Sequence, residues 1–158
     1  MLIRKIVEED NSVMADIIRN SLLEFNAAKP GTVYFDESTD HLSELFNAKR
    51  SAYFVLEIHH EIAGGGGYFP TKGLPKNNCE LVKMYVSKKF RGKGLGKILL
   101  QKCMEEAKKE GYKKMYLESM PELVNAIAMY AKNGFSYIPQ PLGNSGHTGC
   151  DVWMMRDL

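Results

Sequence analysis

The segment from Cys79 to Glu110 restricts the possible folds more than any other part of the chain. Glu80 to Val86 carries the residue types and spacing of a β-strand, and Gly94 to Glu110 those of an amphipathic helix, with Leu95, Ile98, Leu99, Cys103 and Ala107 on one face and Gly111 at its stop. Between them runs Ser87-Lys88-Lys89-Phe90-Arg91-Gly92-Lys93-Gly94-Leu95-Gly96-Lys97, a basic, glycine-rich turn that feeds a helix N-terminus. Glycines let backbone amides approach a ligand without interference from Cβ, and the helix dipole favours negative charge at the same place. Arg91, Lys93 and Lys97 add full positive charges. The pattern predicts a cradle for a phosphate or pyrophosphate. It is not a P-loop, because Ile98 follows Gly96-Lys97 where Ser or Thr is required, and not a dinucleotide fingerprint, which needs a glycine at position 97.

The remaining elements fall on either side of this unit. Residues 2–7 read as a strand, with Asn11 or Ser12 as the cap of a helix that runs to Phe25 and carries Met14, Ile17, Ile18 and Leu22 at helical spacing. A second helix is expected over about 37–48, with Leu42, Leu45 and Phe46 as its buried stripe. Residues 52–59 and 62–69 form a hairpin around His60-Glu61, and the run Gly64-Gly65-Gly66-Gly67 in its second strand points to a bulge or a close approach. Further strands are expected at 114–118, 135–138 and 151–156, with a helix over 123–132. The order predicts a mixed α/β, or α+β, single domain over residues 1–158, with a twisted central sheet of about six or seven strands flanked by about four helices.

Composition sets outer limits. The net charge of +2 is too balanced for a general nucleic-acid or membrane binder, yet the halves differ: residues 1–80 hold 8 basic and 12 acidic side chains, residues 81–158 hold 13 and 7. No apolar stretch approaches the roughly 20 residues that cross a bilayer. The acidic start, Glu8-Glu9-Asp10, interrupts any signal-peptide apolar region, and three cysteines without a C-x-x-C pair suit a reducing cytoplasm. His147 and Cys150 have the spacing of half a zinc site without a second pair, so no metal is expected.

Arg91, Gly94 and Gly96 match the R/Q-x-x-G-x-G/A acetyl-CoA-binding motif, and Asn125 to Phe135 resembles the A-x-x-x-Y-x-x-x-G-F signature near the end of the same family. With the preceding strand, the intervening helix and the element order, the chain resembles the GNAT superfamily of N-acetyltransferases over essentially its whole length. The resemblance implies acetyl-CoA as cofactor, bound by Met84, Tyr85 and Val86 of the strand, by Arg91 through Lys97 of the loop (Arg91, Gly92, Lys93, Gly94, Leu95, Gly96, Lys97), and by Asn125, Tyr130 and Lys132 of the late helix. It further implies that the Met84 N–H, at a bulge, receives the oxyanion, that Tyr130 protonates the leaving sulfur, and that Glu80 stands where part of the family keeps a general base. Strand periodicity puts Glu80, Val82, Met84 and Val86 on one face, with roughly 13 Å between Glu80 and the oxyanion donor.

The acceptor would be read by Phe25, Tyr34, Glu80, Glu118 and His147, among acids and aromatics such as Glu24 and Asp36 that suit a small cationic amine. A protein or peptide acceptor, and a non-catalytic acyl-CoA-binding module, are the alternatives. Family resemblance also allows a homodimer through the last strands.

Overall fold

A computed structural model describes residues 1–158. Seven strands form one sheet in the order β1-β2-β3-β4-β5-β7-β6: β1 Leu2–Lys5, β2 Ala52–Ile58, β3 Glu61–Phe69, β4 Asn78–Val86, β5 Lys114–Ser119, β6 Ser136–Tyr137 and β7 Val152–Asp157. Every neighbouring pair is antiparallel except β4 and β5, which are joined by the long helix α3, Leu95–Lys109, as a parallel pair requires. One face of the sheet is covered by α3 and α4 (Val124–Lys132), through Leu95, Leu99, Leu100, Cys103, Ala107 and Tyr130 packed on Phe54, Leu56, Leu81 and Leu117. The other is covered by α1, Asn11–Glu24, whose Met14, Ile18 and Leu22 recur every four residues and meet Tyr53 and Val55.

Two local expectations need correction. Asn11 does not cap its own helix: its side-chain amide donates to the Ser43 hydroxyl and accepts from the Ser43 N–H, both at 2.9 Å, fastening α1 to the segment that follows. That segment is not one helix over 37–48. It is a 3₁₀ turn, Glu37–Asp40, and a single-turn helix α2, Leu42–Leu45. Thr39 donates its hydroxyl to the Val33 carbonyl at 3.0 Å, and such side-chain to backbone bonds compete with helix continuation.

The glycine run in β3 is a close approach, and opposite it lies a bulge. The β3–β4 register passes from Gly65↔Tyr85 to Gly67↔Val82, so two residues of β4, Lys83 and Met84, oppose Gly66 alone. Lys83 takes φ 51°, in the left-handed region. The extra residue shifts the alternation of β4. Val82 and Tyr85 pack on the α1 side, while Leu81, Met84 and Val86 pack on the α3 side, so Glu80, Val82, Met84 and Val86 do not share a face.

Candidate active site

Strands β4 and β5 pair only from Asn78↔Lys114 to Leu81↔Leu117, although β4 continues to Val86 and β5 to Ser119. Beyond Leu81 and Leu117 they part, and the gap opens a cavity of about 600 Å³. Its walls include residues 80–86, the loop at Arg91, Gly92 and Gly94, the first turn of α3, and the α4 residues Asn125, Met129 and Tyr130.

At one end sits the glycine loop. Gly92 and Gly94 have φ of +77° and +76°, left-handed values that an L side chain adopts at a cost, and a Cβ on either would meet nothing within 4 Å. Gly94 stands at the N-cap of the 15-residue α3, with open space in front of it. Free backbone amides at the head of a long helix are the donor set that a pyrophosphate requires, so the residues present fit the phosphate arm of an acyl-CoA.

The basic side chains are distributed differently from their sequence pattern. Arg91 lines the cavity but its guanidinium is already engaged: Nε donates to the Val86 carbonyl at 2.8 Å, Nη1 pairs with Glu24 at 2.9 Å, Nη2 donates to the Ser21 hydroxyl at 2.9 Å, and the guanidinium lies 4.9 Å from the centre of the Phe25 ring. It ties the loop to α1. Lys97 lines the cavity, whereas Lys93 is directed toward the Phe90 ring and neither Lys93 nor Lys132 is among the lining residues.

Met84, Tyr85 and Val86 form the β4 wall and Tyr130 stands on the wall contributed by α4. The Tyr130 ring packs on Phe135, and burial raises its phenol above the ordinary tyrosine range, so the group stays protonated near neutrality. Tyr85 is raised too, by burial and then by its proximity to Tyr130.

At the other end is a cluster of ionisable groups. One ligand-type atom each from Glu80, Glu118 and His147 lies within 4.8 Å of the other two. Glu80 is only 3% exposed, and burial, with Glu118 nearby, pushes its carboxyl up to about 7, although the Thr71 hydroxyl donates to it. Glu118 accepts from Tyr116 Oη at 2.8 Å and from the Ser145 hydroxyl. His147 joins Asp36 through Nε2 at 2.7 Å. Burial would lower its pKa, but the bond to Asp36 outweighs that and raises it. Asp36 also takes Lys83 Nζ at 2.9 Å; burial would raise its carboxyl, yet His147 and Lys83 bring it down to about 2. Donor hydroxyls bond to both glutamates, and Asp36 holds His147. Cys150 is buried, with its thiol pushed up to about 12.

Of the residues expected to read the acceptor, Phe25, Glu80, Glu118 and His147 line the cavity; Tyr34 does not. Its ring stands edge-on to Phe35 with centroids 4.9 Å apart, and Arg19 Nε donates to its carbonyl. Glu24 and Asp36 are not free for an amine, since Arg91 and the Lys83–His147 pair hold them. Lys83, Thr71, Ser145 and Tyr116 escaped the sequence reading as parts of this cluster. A lysine inside the apolar stretch Leu81-Val82-Lys83-Met84-Tyr85 was the one available sign of a buried partner.

A cavity formed by parting strands, with an amide-lined helix head at one end and ionisable groups at the other, defines an acyl-CoA-dependent transferase. Residues 18–135 match the acetyltransferase (GNAT) family. Among curated proteins, the Escherichia coli uncharacterized N-acetyltransferase YjgM is 39% identical over 158 residues, covering 99% of this chain and 95% of that protein. Among solved structures, a GNAT-family acetyltransferase from Staphylococcus aureus Mu50 superposes with a TM-score of 0.86 at 21% identity, covering 99% of this chain and 98% of that one. The PaiA N-acetyltransferase of Thermoplasma acidophilum, in complex with coenzyme A, gives 0.77 at 18% identity, covering 99% and 98%. This chain belongs to the GNAT acetyltransferase family. It is an N-acetyltransferase with acetyl-CoA as co-substrate. No helix is long and apolar enough to cross a membrane.

Proposed function

We propose that the chain acetylates the primary amine of a small cationic molecule by direct transfer, with both substrates bound together. The observation that carries this reading is the Glu80–Glu118–His147 cluster in the cavity wall beside the β4 bulge. Lys83 and His147 share the Asp36 carboxylate, and Glu118, 4.0 Å from His147 Nδ1, together with the titratable Glu80 supplies the negative charge that would attract a cation. The Phe25 ring and Val33 supply apolar contact.

Bound acetyl-CoA supplies an acyl carbon activated as a thioester. The residues of the chain do the rest. Amides of the Gly92–Lys97 loop hold the pyrophosphate, with Lys97 adding charge. Met84 directs its N–H at the oxygen on which negative charge develops, and such a donor is worth roughly 10²- to 10³-fold in rate. Glu80, raised to about 7, accepts the proton that the ammonium must lose, through intervening water. As the amine nitrogen forms the new C–N bond it gives up its second proton to water, the C–S bond breaks, and Tyr130 gives its phenolic proton to the departing sulfur and recovers one from solvent. The products are an amide and a free thiol. Three free, buried cysteines support a reducing cytoplasm as the place of work.

Thiol release from acetyl-CoA with a panel of small primary amines and of peptides with free N-termini or lysines tests the acceptor class. The reading expects kcat/KM at least tenfold higher for small cationic amines. Preference for the peptides would overturn it.

A further inference from the structure

Four consecutive glycines in the middle of β3 weaken a strand, so their presence calls for a local cause. Gly64 and Gly66 lie close against Tyr85 and Met84 of β4, and for Gly65 and Gly67 the cause includes a side chain from β2. The Tyr53 ring crosses β3, and its hydroxyl donates to the backbone carbonyl of Lys83 on β4 at 2.7 Å, with both groups buried. A Cβ on Gly65 would lie 2.6 Å from Tyr53 Cε1 and 3.0 Å from its hydroxyl oxygen; one on Gly67 would lie 2.8 Å from Cδ2. The glycines clear the path by which a phenol two strands away reaches the bulge.

The bond engages the peptide unit between Lys83 and Met84. A trans peptide is planar, so its carbonyl and N–H point in opposite directions, and fixing the oxygen fixes the direction of the N–H at its other edge. A hydrogen bond to the carbonyl also polarises the unit and strengthens its N–H as a donor. Burial raises the Tyr53 phenol well above its ordinary value, which keeps the donor proton in place. The residue that carries this carbonyl is itself restrained: Lys83 is held at φ 51° with its side chain 4% exposed and pinned to Asp36. Left-handed non-glycine residues persist where surrounding contacts over-determine them.

We propose that Tyr53 is a positioning residue of this acetyltransferase: its hydroxyl orients and polarises the Lys83–Met84 peptide so that the Met84 N–H faces the reacting oxygen. The inference rests on the reading of Met84 as the oxyanion donor. It gives Gly65 and Gly67 a role in catalysis without either touching substrate.

The test compares wild type with Tyr53→Phe in three measurements: kcat, calorimetric Kd for acetyl-CoA, and the amide resonance of Met84 in ¹⁵N-labelled protein as acetyl-CoA is added. In wild type the Met84 resonance should move on binding. In Y53F the affinity should stay within twofold, the free-state Met84 resonance should shift, and kcat should fall about tenfold. Incorporation of 4-aminophenylalanine at position 53, which restores an N–H donor, should recover most of the rate. Should Y53F not fold, 4-fluorophenylalanine, which fills the space of the hydroxyl without a donor proton, replaces it. A folded donor-less variant with kcat within twofold of wild type, while Met84 still responds to acetyl-CoA, overturns the role of Tyr53 and leaves the Met84 reading intact. A parallel loss of kcat and affinity also overturns it. Wild type that binds acetyl-CoA without any response at Met84 overturns the oxyanion reading and this proposal with it.

Discussion

Lys83 Nζ lies 2.9 Å from the Asp36 carboxylate, joining the bulge of β4 to a loop 47 residues earlier in the chain. The lysine is buried and its pKa is lowered by that burial, which the pairing with Asp36 opposes. Removing one partner of a buried pair leaves the other charge uncompensated, at a cost of about 3–5 kcal/mol. Asp36→Ala should therefore destabilise the protein by about 3 kcal/mol in urea unfolding, with an unchanged m-value. Asp36→Ala together with Lys83→Met should recover part of that loss, because no unpaired ammonium remains.

Glu80 predicts two pH effects of opposite sign. As an acceptor of protons it works when ionised, so kcat/KM should rise with pH through an inflection near 7, and Glu80→Gln should lower the rate and abolish the inflection. For stability, the folded carboxyl at about 7 holds its proton where the unfolded one, at 4.5, has lost it. The native state then binds more protons between these values, and stability falls as pH rises from about 4.5 to about 7. Glu80→Gln removes this penalty and should be the more stable form at pH 8, by up to about 3 kcal/mol, compared in denaturant titrations at pH 4 and pH 8.

Tyr130→Phe should reduce kcat by about 10²-fold, within the usual range for loss of a general acid, and change acetyl-CoA affinity less than twofold. Because burial raises the phenol above its ordinary value, Tyr130 should contribute no alkaline limb to the wild-type pH–rate profile below pH 10. An unchanged rate would remove Tyr130 from proton transfer and leave it as a core aromatic against Phe135.

Gly67→Ala places a Cβ 2.5 Å from the Ala52 carbonyl oxygen and 2.8 Å from the Phe46 ring, contacts with backbone and with a packed aromatic that cannot yield cheaply. It should cost about 2–3 kcal/mol. At Gly66 the Cβ meets Met84 Cγ at 2.7 Å and Cβ at 3.1 Å but no backbone atom closer than 3.4 Å, so Gly66→Ala should cost less stability than Gly67→Ala, whose nearest contact is backbone. Thermal unfolding of the two variants in one buffer provides the comparison.

The strands, the long helix and the glycine loop were legible because each depends on local period and turn chemistry: the α3 stripe of Leu95, Leu99 and Cys103 can be read by counting residues. Parts of the site depend on distant pairings, and there the sequence was a poor guide. Nothing near Lys83 announces that Asp36 will meet it, and nothing near Arg91 announces Glu24, so the basic turn reads as an anion site although Lys88, Lys89 and Arg91 in it are already paired with acids. Period-two counting failed at one residue of β4, since the bulge at Lys83 depends on what β3 and Tyr53 present to it. The glycine run signalled a close approach but could not identify the side chain that makes it.

Calorimetric titration of the purified protein with acetyl-CoA tests the central claim most directly, because every role assigned along the cavity depends on that molecule reaching from the Gly92–Lys97 loop to the β4 bulge. Micromolar binding, about −8 kcal/mol, is the predicted result, and Gly94→Ala should weaken it by straining the left-handed turn at the head of α3. Absence of binding heat at millimolar acetyl-CoA across two temperatures would contradict the account.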